Sequence, residues 1–122
     1  MGIIELEGME FYAYHGCFSE ERIVGNRFMI DLRLETDTSK PELTDNIHDA
    51  VNYQTAYQIA KKQMESKAHL LEHVAYRILK QLFQELPTVN KARIKVSKIN
   101  PPLGGKVEQV SVTLEKIKTD FQ

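Results

Sequence analysis

The chain has 122 residues, with 16 Lys and Arg against 17 Asp and Glu and a formal net charge of −1 at pH 7. This length suggests one domain, residues 1–122, with a single modest core. The balanced charge argues against general nucleic-acid binding, which needs a basic patch on the surface. A lone cysteine, Cys17, excludes an internal disulfide. No stretch resembles a signal peptide or reaches membrane-spanning length, so we expect a cytoplasmic protein with no nucleic-acid or membrane partner.

Two strands are predicted in the first third of the chain. Residues 3–14 alternate apolar with acidic side chains before a run of aromatic residues, and residues 26–38 show the clearest period of two. The apolar side of the second strand comprises Phe28, Ile30, Leu32 and Leu34. One buried and one wetted face is typical of an antiparallel sheet. Between the strands, residues 19–21 predict a turn or the start of a short helix.

Two helices are predicted in the middle of the chain, after a polar stretch at 41–51 that should be irregular or contain one helical turn. Asn52 is a fair N-cap for the first helix, which should run to about Ser66. The second should open at His69 and end before Pro87, because its apolar residues recur at spacings of three and four. Its apolar stripe comprises Leu71, Val74, Ala75, Ile78, Leu79, Leu82, Phe83 and Leu86.

Strands at 91–99 and 106–117 complete a β-β-α-α-β-β order. Lys98 shares the parity of the inward-facing residues of its strand, which is unusual for a lysine. The predicted fold is α+β, a four-stranded antiparallel sheet with two helices covering one face. The long strands at 26–38 and 106–117 should leave edges or ends that a small monomer would struggle to protect. Joining sheets between subunits into a closed barrel would remove them.

Four polar residues form a candidate acid–base set: Glu21, Tyr53, Glu72 and Lys98. Glu72 falls in the first turn of the second helix, on the shoulder of the buried stripe, where a half-sheltered carboxylate would lie near the positive end of the helix dipole. Each residue also has a purely structural explanation. Glu72 can stabilise the helix start, Glu21 a turn and Tyr53 a first-turn contact, while Lys98 can extend its amine past the sheet edge.

Residues 69–73 match the H-x-x-E-H pattern of inverted zinc proteases, in which two imidazoles share one metal ion. By helical count, His69 and His73 project away from the buried stripe, while His15 and His48 lie in other segments. A catalytic zinc site also needs a third protein ligand on a supporting scaffold. We therefore expect no metal site.

Several stretches resemble the sequences of dihydroneopterin aldolases, in the right order and over nearly the whole chain. They are Gly8-Met9-Glu10-Phe11-Tyr12-Ala13-Tyr14-His15-Gly16 with Glu21 and Gly25, Thr44-Asp45-Asn46-Ile47, Val51-Asn52-Tyr53, Leu70-Leu71-Glu72-His73-Val74-Ala75, and Val96-Ser97-Lys98-Ile99-Asn100-Pro101-Pro102. The last two stretches are the most specific. Asn52, where the family often has His, and the Gly-rich turn at 104–106 depart from the pattern, but neither touches the acid–base set.

The resemblance implies a tunnelling fold, in which β-β-α-α-β-β subunits join their sheets into a barrel, and a homo-oligomer of eight subunits in two rings of four. It also implies a pterin site between subunits, in the folate pathway. Lys98, Tyr53 and Glu21 would be catalytic, with Lys98 transferring protons and Tyr53 coming from the neighbouring subunit. Glu72 would anchor the pterin. Glu21 and Tyr53 would line the end of the site that holds the side chain of the substrate, and the backbone at Leu71 and Val51 would contact the ring.

These residue types suit the reaction that the resemblance implies. A carboxylate accepts the pterin N3–H and 2-amino group together, as it would accept an arginine fork. In 7,8-dihydroneopterin, the C6=N5 bond takes up the electrons released when a carbon–carbon bond of the substituent on C6 breaks. The enzyme therefore needs a base for the substituent's hydroxyl and an acid for the ring, and no cofactor, metal ion or lysine Schiff base.

Two other functions stay open. A dihydroneopterin triphosphate 2'-epimerase would use the same intermediate and a basic cluster for the phosphates, for which Lys91, Lys95 and Lys106 are candidates. The aldolase itself can also epimerise its substrate through that intermediate. From another class, a non-catalytic barrel-forming assembly module would keep the fold without needing the four polar residues of the acid–base set.

Overall fold

A computed structural model describes all 122 residues of the chain. Its strands are β1 (Gly2–Ala13), β2 (Asn26–Thr36), β3 (Val89–Ile99) and β4 (Gln109–Ile117). Its α-helices are α1 (Ser19–Val24), α2 (Ser39–Thr44), α3 (Tyr53–Glu65) and α4 (Leu71–Glu85), and 3-10 turns occupy Ile47–Asp49 and Lys118–Phe121. No helix combines the length and the apolar character needed to cross a membrane. The predicted order of four strands and two long helices is confirmed. The short helix α1 lies where a turn or helix start was predicted, and α2 is added.

The sheet has the order β1-β2-β3-β4, and every neighbouring pair is antiparallel. Of the two long strands predicted to leave unprotected edges or ends, β4 has an unpaired edge, whereas β2 has none because it pairs with a strand on each side. The edges are β1 and β4. β1 is bulged between Leu6 and Met9, where Gly8 adopts a φ of 69° that glycine tolerates. The Gly8 N–H donates to the Asp31 carboxylate at 2.8 Å, which fixes the bulge.

The apolar sides of the strands and the apolar stripes of the two long helices enclose one core. Fully buried members of the core include Ile30, Leu34, Ile94 and Val96 on the sheet and Val74, Ala75, Ile78, Leu79 and Leu82 on α4. α3 lies over β1, where the Phe11 and Tyr57 rings stack with centroids 5.8 Å apart. α4 lies over β3 and β4. Both helices therefore cover the same face, because the strand period of two and the helix spacing of three and four each present one apolar side.

The helix boundaries agree with the sequence except at the start of α4. Asn52 caps α3 as predicted, because its side-chain oxygen accepts the Gln54 N–H at 3.0 Å. α4 begins at Leu71 rather than at His69, because Leu70 has an extended backbone with φ −119° and ψ 141°. The helical count that related His69 to His73 was therefore wrong.

Two connecting segments differ in detail from their predictions. The stretch at 41–51, expected to be irregular or to contain one helical turn, contains the end of α2 and a 3-10 turn. β4 begins at Gln109 rather than at 106, because the Asn100 N–H donates to the Glu108 carbonyl at 2.7 Å and closes the loop between β3 and β4. That closed loop forms one wall of the site described below.

Candidate active site

Lys98 lies near the end of β3, paired in register with Phe28 of β2. Its ammonium group lies over the Phe28 ring, 5.9 Å from the centroid, and only 12% of the side chain is exposed. A charged amine on this side of the sheet is costly unless a polar partner compensates it. The strand parity thus gave the right direction for Lys98, and the partner explains how it is tolerated there.

Glu21 is that partner. α1 brings the Glu21 carboxylate to the Lys98 ammonium, which donates a hydrogen bond to Oε2. Burial alone would raise the pKa of Glu21. The hydrogen bond and charge of Lys98, together with the backbone N–H groups of Phe18 and Cys17, outweigh burial and hold this pKa below its usual value. Glu21 is therefore an ionised carboxylate at neutral pH, in a charge-assisted hydrogen bond.

Gly16 leaves the space that Glu21 occupies. A β-carbon at position 16 would lie 2.5 Å from Glu21 Cβ and 2.6 Å from Glu21 Oε1. The backbone at Gly16 is itself held in place, because its N–H donates to the Ala68 carbonyl at 2.9 Å. The loop after β1 therefore sets the position of the Glu21 carboxylate by direct contact.

Gly16→Ala should lower the free energy of unfolding by about 1–3 kcal/mol, the usual cost of overpacking a filled site. The added methyl group must displace Glu21, whose carboxylate is held by Lys98. Thermal unfolding measures the change. Gly105→Ala is the matched control, because a β-carbon there meets no atom within 4 Å. Equal stability of the two variants would show that Gly16 and Glu21 are not in contact.

The Lys98–Glu21 pair lies in a cleft of about 190 Å³. The loop after β1, the start of α4 and the loop between β3 and β4 each contribute a wall. The apolar lining includes Phe18, Leu71, Pro101, Leu103 and Val110. A larger groove of about 420 Å³ between α3 and α4 is lined almost wholly by uncharged polar and charged side chains and lacks Lys98 and Glu21. Mostly apolar walls around one acid–base pair can hold a flat ring and move a proton on it.

Leu71 and Glu72 form the first turn of α4 at the edge of this cleft. Leu71 is partly buried and lines the cleft. Glu72 is exposed and makes no hydrogen bond within the protein. The expectation of a half-sheltered carboxylate was wrong for the single subunit, because none of its own elements covers this turn. Glu72 is consequently free to accept donors from a ligand.

Tyr53 and Val51 lie at the other end of the helical layer. Tyr53 begins α3, whose 13 residues span about 20 Å at 1.5 Å per residue, and the backbone then turns back into α4. The Tyr53 side chain is 66% exposed, while Val51 is buried. One subunit therefore brings Glu21, Lys98, Leu71 and Glu72 to one end of the molecule and leaves Tyr53 and Val51 at the opposite end.

The histidines of the H-x-x-E-H pattern do not converge. His69 precedes α4, and its Nδ1 lies 3.4 Å from Arg22 Nη1, while His73 is an exposed residue of α4. The protein has no group of three or more His, Cys, Asp and Glu side chains arranged to hold a metal ion. The pattern in the sequence thus has no structural counterpart as a ligand set.

Two residues that hold the backbone behind the cleft were missed by sequence reasoning. Arg22 donates from Nη1 to the Gly16 carbonyl at 2.9 Å and to the Cys17 carbonyl at 3.0 Å, which holds the loop after β1. His15 is buried, and its Nδ1 accepts the Ala68 N–H at 3.1 Å. The available signal was a histidine directly before a glycine, at the end of an aromatic strand.

Comparison with known proteins gives a consistent result. The family model described as FolB, dihydroneopterin aldolase, matches residues 4–115. A dihydroneopterin aldolase of Streptococcus pyogenes serotype M1 is 37% identical over 117 residues, which amount to 95% of this chain and 98% of the relative. The dihydroneopterin aldolase of Bacillus subtilis strain 168 is 36% identical over 120 residues, which amount to 98% of this chain and 100% of the relative.

A solved structure shows the same fold. The crystal structure of E. coli dihydroneopterin aldolase in complex with neopterin superposes with a TM-score of 0.88 at 21% identity, covering 95% of this chain and 99% of that chain. At this identity, the likeness speaks for the fold alone. The α+β sheet and helices described above are therefore those of the tunnelling fold.

Proposed function

The chain belongs to the dihydroneopterin aldolase family, and we propose that residues 1–122 form one domain that cleaves 7,8-dihydroneopterin in folate biosynthesis. The products are 6-hydroxymethyl-7,8-dihydropterin and glycolaldehyde. The observation that carries this proposal is the Lys98–Glu21 pair in a mostly apolar cleft, at the start of the helix that bears Glu72. It supplies an acid–base group and a free carboxylate at one end of the molecule, as a retro-aldol reaction on a pterin requires.

Binding of the pterin would begin at the first turn of α4. Glu72 accepts the ring N3–H and the 2-amino group, two donors that match the two oxygens of a carboxylate. The backbone of Leu71 contacts the ring, and the partly apolar cleft excludes water from one side of it. This arrangement directs the substituent on C6 of the substrate toward Lys98 and Glu21.

The chemical step uses the substrate itself as the electron sink. A base takes the proton of the 2'-hydroxyl, the bond between C1' and C2' breaks, and glycolaldehyde leaves. The electron pair passes through C6=N5 to N5 and leaves a C6=C1' double bond. Protonation of this anion at C1' forms the hydroxymethyl group and restores C6=N5. We assign the proton transfers to Lys98, which accepts the 2'-hydroxyl proton as the neutral amine and returns it to C1', with Glu21 holding its amine in place and Tyr53 assisting.

Two subunits would complete each site. Tyr53 and Val51 lie far from the cleft of their own subunit, and both β1 and β4 have an unpaired edge. Joining β4 of one subunit to β1 of the next closes the sheets into a barrel and removes the edges. We propose rings of four subunits, stacked as an octamer, in which Tyr53 and Val51 of one subunit reach the cleft of its neighbour.

Mixing two inactive variants tests this arrangement. Lys98→Ala and Tyr53→Ala subunits, each inactive alone, should regain activity when dissociated and reassembled together. In a randomly mixed ring, about one quarter of the sites combine an intact Lys98 from one subunit with an intact Tyr53 from the next. About one quarter of the parent activity should therefore return. A mixture that stays as inactive as its components would show that Lys98 and Tyr53 do not meet between subunits.

Removal of divalent metal should leave the activity within about twofold of the parent value, because the pterin ring rather than a Lewis acid takes up the electrons. The measurement is the initial rate after dialysis against a strong chelator. The untreated protein in the same buffer is the control. Loss of activity that added zinc restores would contradict a metal-independent mechanism.

The compartment and partners follow from the proposed substrate. We propose a cytoplasmic enzyme whose partners are the pterin and further copies of itself, without nucleic acid or membrane. The lone Cys17 is exposed, and exposed free thiols persist where the surroundings are reducing.

The experiment that separates the aldolase from the triphosphate epimerase compares two substrates. The parent protein should show a higher kcat/KM with 7,8-dihydroneopterin than with its triphosphate. Lys98 is the only lysine among the residues lining the cleft, so the basic cluster that the phosphates would need is missing there. Preference for the triphosphate, with inversion at C2' and no glycolaldehyde, would favour the epimerase. Absence of turnover with both substrates would favour the assembly module.

A further inference from the structure

His15 is a buried ionisable residue that the proposed chemistry does not use. It is 1% exposed, and its Nδ1 accepts the Ala68 N–H at 3.1 Å. Burial, with the positive charges of Arg77 and Lys98, lowers the pKa of His15 to about 4. The ring is therefore neutral at pH 7, and since Nδ1 is an acceptor, its proton resides on Nε2.

The bond from Ala68 to His15 is one half of a two-bond clamp. The other half runs in the opposite direction, from the Gly16 N–H to the Ala68 carbonyl at 2.9 Å. Both the donor and the acceptor of Ala68 are thus used by two consecutive residues that follow β1. The clamp joins the loop after β1 to the loop that leads into α4, two segments that are far apart in the sequence.

Each of the two segments joined by the clamp lies next to one part of the cleft. On one side, Gly16 contacts the Glu21 carboxylate. On the other side, Ala68 lies three residues before Leu71, where α4 begins. The clamp therefore sets the distance between the acid–base pair and the helix turn that would hold the pterin.

The His15 ring also contacts the acid–base pair indirectly, through the Phe28 ring. It meets the Phe28 ring at an interplanar angle of 74° with centroids 5.3 Å apart, and the Lys98 ammonium lies over that same Phe28 ring. His15 therefore packs against the Phe28 ring that the Lys98 ammonium contacts, while its Nδ1 accepts the Ala68 N–H.

We propose that His15 is a positioning residue, which holds the Lys98–Glu21 pair at the correct distance from the pterin-binding turn at Leu71 and Glu72. This inference rests on the proposed function. A pterin anchored at that turn must present its 2'-hydroxyl within hydrogen-bond reach of the transferring group, and a misplacement of about 1 Å can cost roughly 10²-fold in rate. Loss of the clamp should consequently lower kcat while the pterin still binds.

Two substitutions separate the clamp from simple packing. In His15→Asn, the side-chain oxygen can occupy the place of Nδ1 and still accept the Ala68 N–H. In His15→Gln, the amide is one bond further out, so that the Ala68 N–H loses its acceptor. His73→Gln is the control, because His73 is exposed on α4 and makes no side-chain hydrogen bond.

The readouts are kcat for cleavage and the dissociation constant of neopterin. Neopterin is the fully oxidised pterin and lacks the imine-like C6=N5 bond of the dihydro substrate, so it reports binding alone. His15→Gln should lower kcat at least tenfold and leave the dissociation constant within about threefold, a split expected for misplacement rather than lost binding. His15→Asn should keep kcat within about fivefold, as rescue by the retained acceptor requires. The control should match the parent in both measurements.

Each outcome decides the proposal. A His15→Gln variant with parent-like kcat would overturn the inference, as would equal losses in kcat and neopterin binding. If His15→Gln does not fold, the folded His15→Asn variant decides, since a loss of kcat beyond about fivefold would show that the Ala68 acceptor is not the relevant feature. A parent protein without aldolase activity would instead overturn the proposed function, and this inference with it.

Discussion

Lys98→Ala is expected to lower kcat by about 10²–10⁴, the range found when a general acid or base is removed. Lys98 is the one amine that the fold directs into the cleft, and Glu21 holds it there. Pterin binding should change little, because the ring is anchored at Glu72. Steady-state kinetics give kcat, and titration with neopterin gives the binding constant.

The control for this substitution is Lys95→Ala on the same strand. Lys95 is exposed on the other face of the sheet, so its removal should leave kcat unchanged. Borohydride added with substrate should trap no adduct on the parent protein, because Lys98 acts as a proton carrier and not as a Schiff base. A Lys98→Ala variant that turns over at the parent rate would remove Lys98 from the mechanism, and a trapped adduct would change its role.

Glu72→Gln is expected to weaken pterin binding by about 2–4 kcal/mol, the cost of breaking charge-assisted hydrogen bonds to one partner. The amide loses the negative charge and offers one acceptor where the pterin presents two donors. Since Glu72 is exposed and makes no hydrogen bond within the protein, the fold itself should be little affected. Calorimetric titration with neopterin measures the loss.

The matched control is Glu85→Gln, at the last residue of the same helix. It removes one negative charge from α4 at the end far from the cleft, so pterin binding should be retained. Thermal unfolding of both variants separates binding from stability. If Glu72→Gln binds neopterin normally but unfolds at a lower temperature, Glu72 is only a helix-start residue.

Much of the fold can be predicted from the sequence, because each long element carries its own pattern. The period of two at 26–38 predicts β2, and the Asn52 cap predicts the start of α3. The parity of Lys98 predicts its direction into the protein. The sheet order is harder to predict, since an alternating strand shows which face is buried but not how many neighbours it has. For that reason the pattern alone does not reveal that β2 is a central strand.

The cleft could be predicted only in part, because its walls depend on backbone contacts between distant segments. The predicted start of α4 lies two residues early, since the apolar stripe does not reveal the extended backbone at Leu70. Glu72 was expected to be half sheltered, yet in one subunit no element covers it. The clamp uses the backbone N–H of Ala68, so the residue type at position 68 does not reveal its hydrogen bond with His15.

The most direct test is incubation of the parent protein with 7,8-dihydroneopterin, beside Lys98→Ala under the same conditions. Chromatography of the pterins and a carbonyl assay of the medium follow both halves of the substrate. We expect the parent to form 6-hydroxymethyl-7,8-dihydropterin and glycolaldehyde in equal amounts, and Lys98→Ala to form both far more slowly. Recovery of the substrate unchanged, or conversion to its 2' epimer without glycolaldehyde, would contradict a retro-aldol function for the Lys98–Glu21 site.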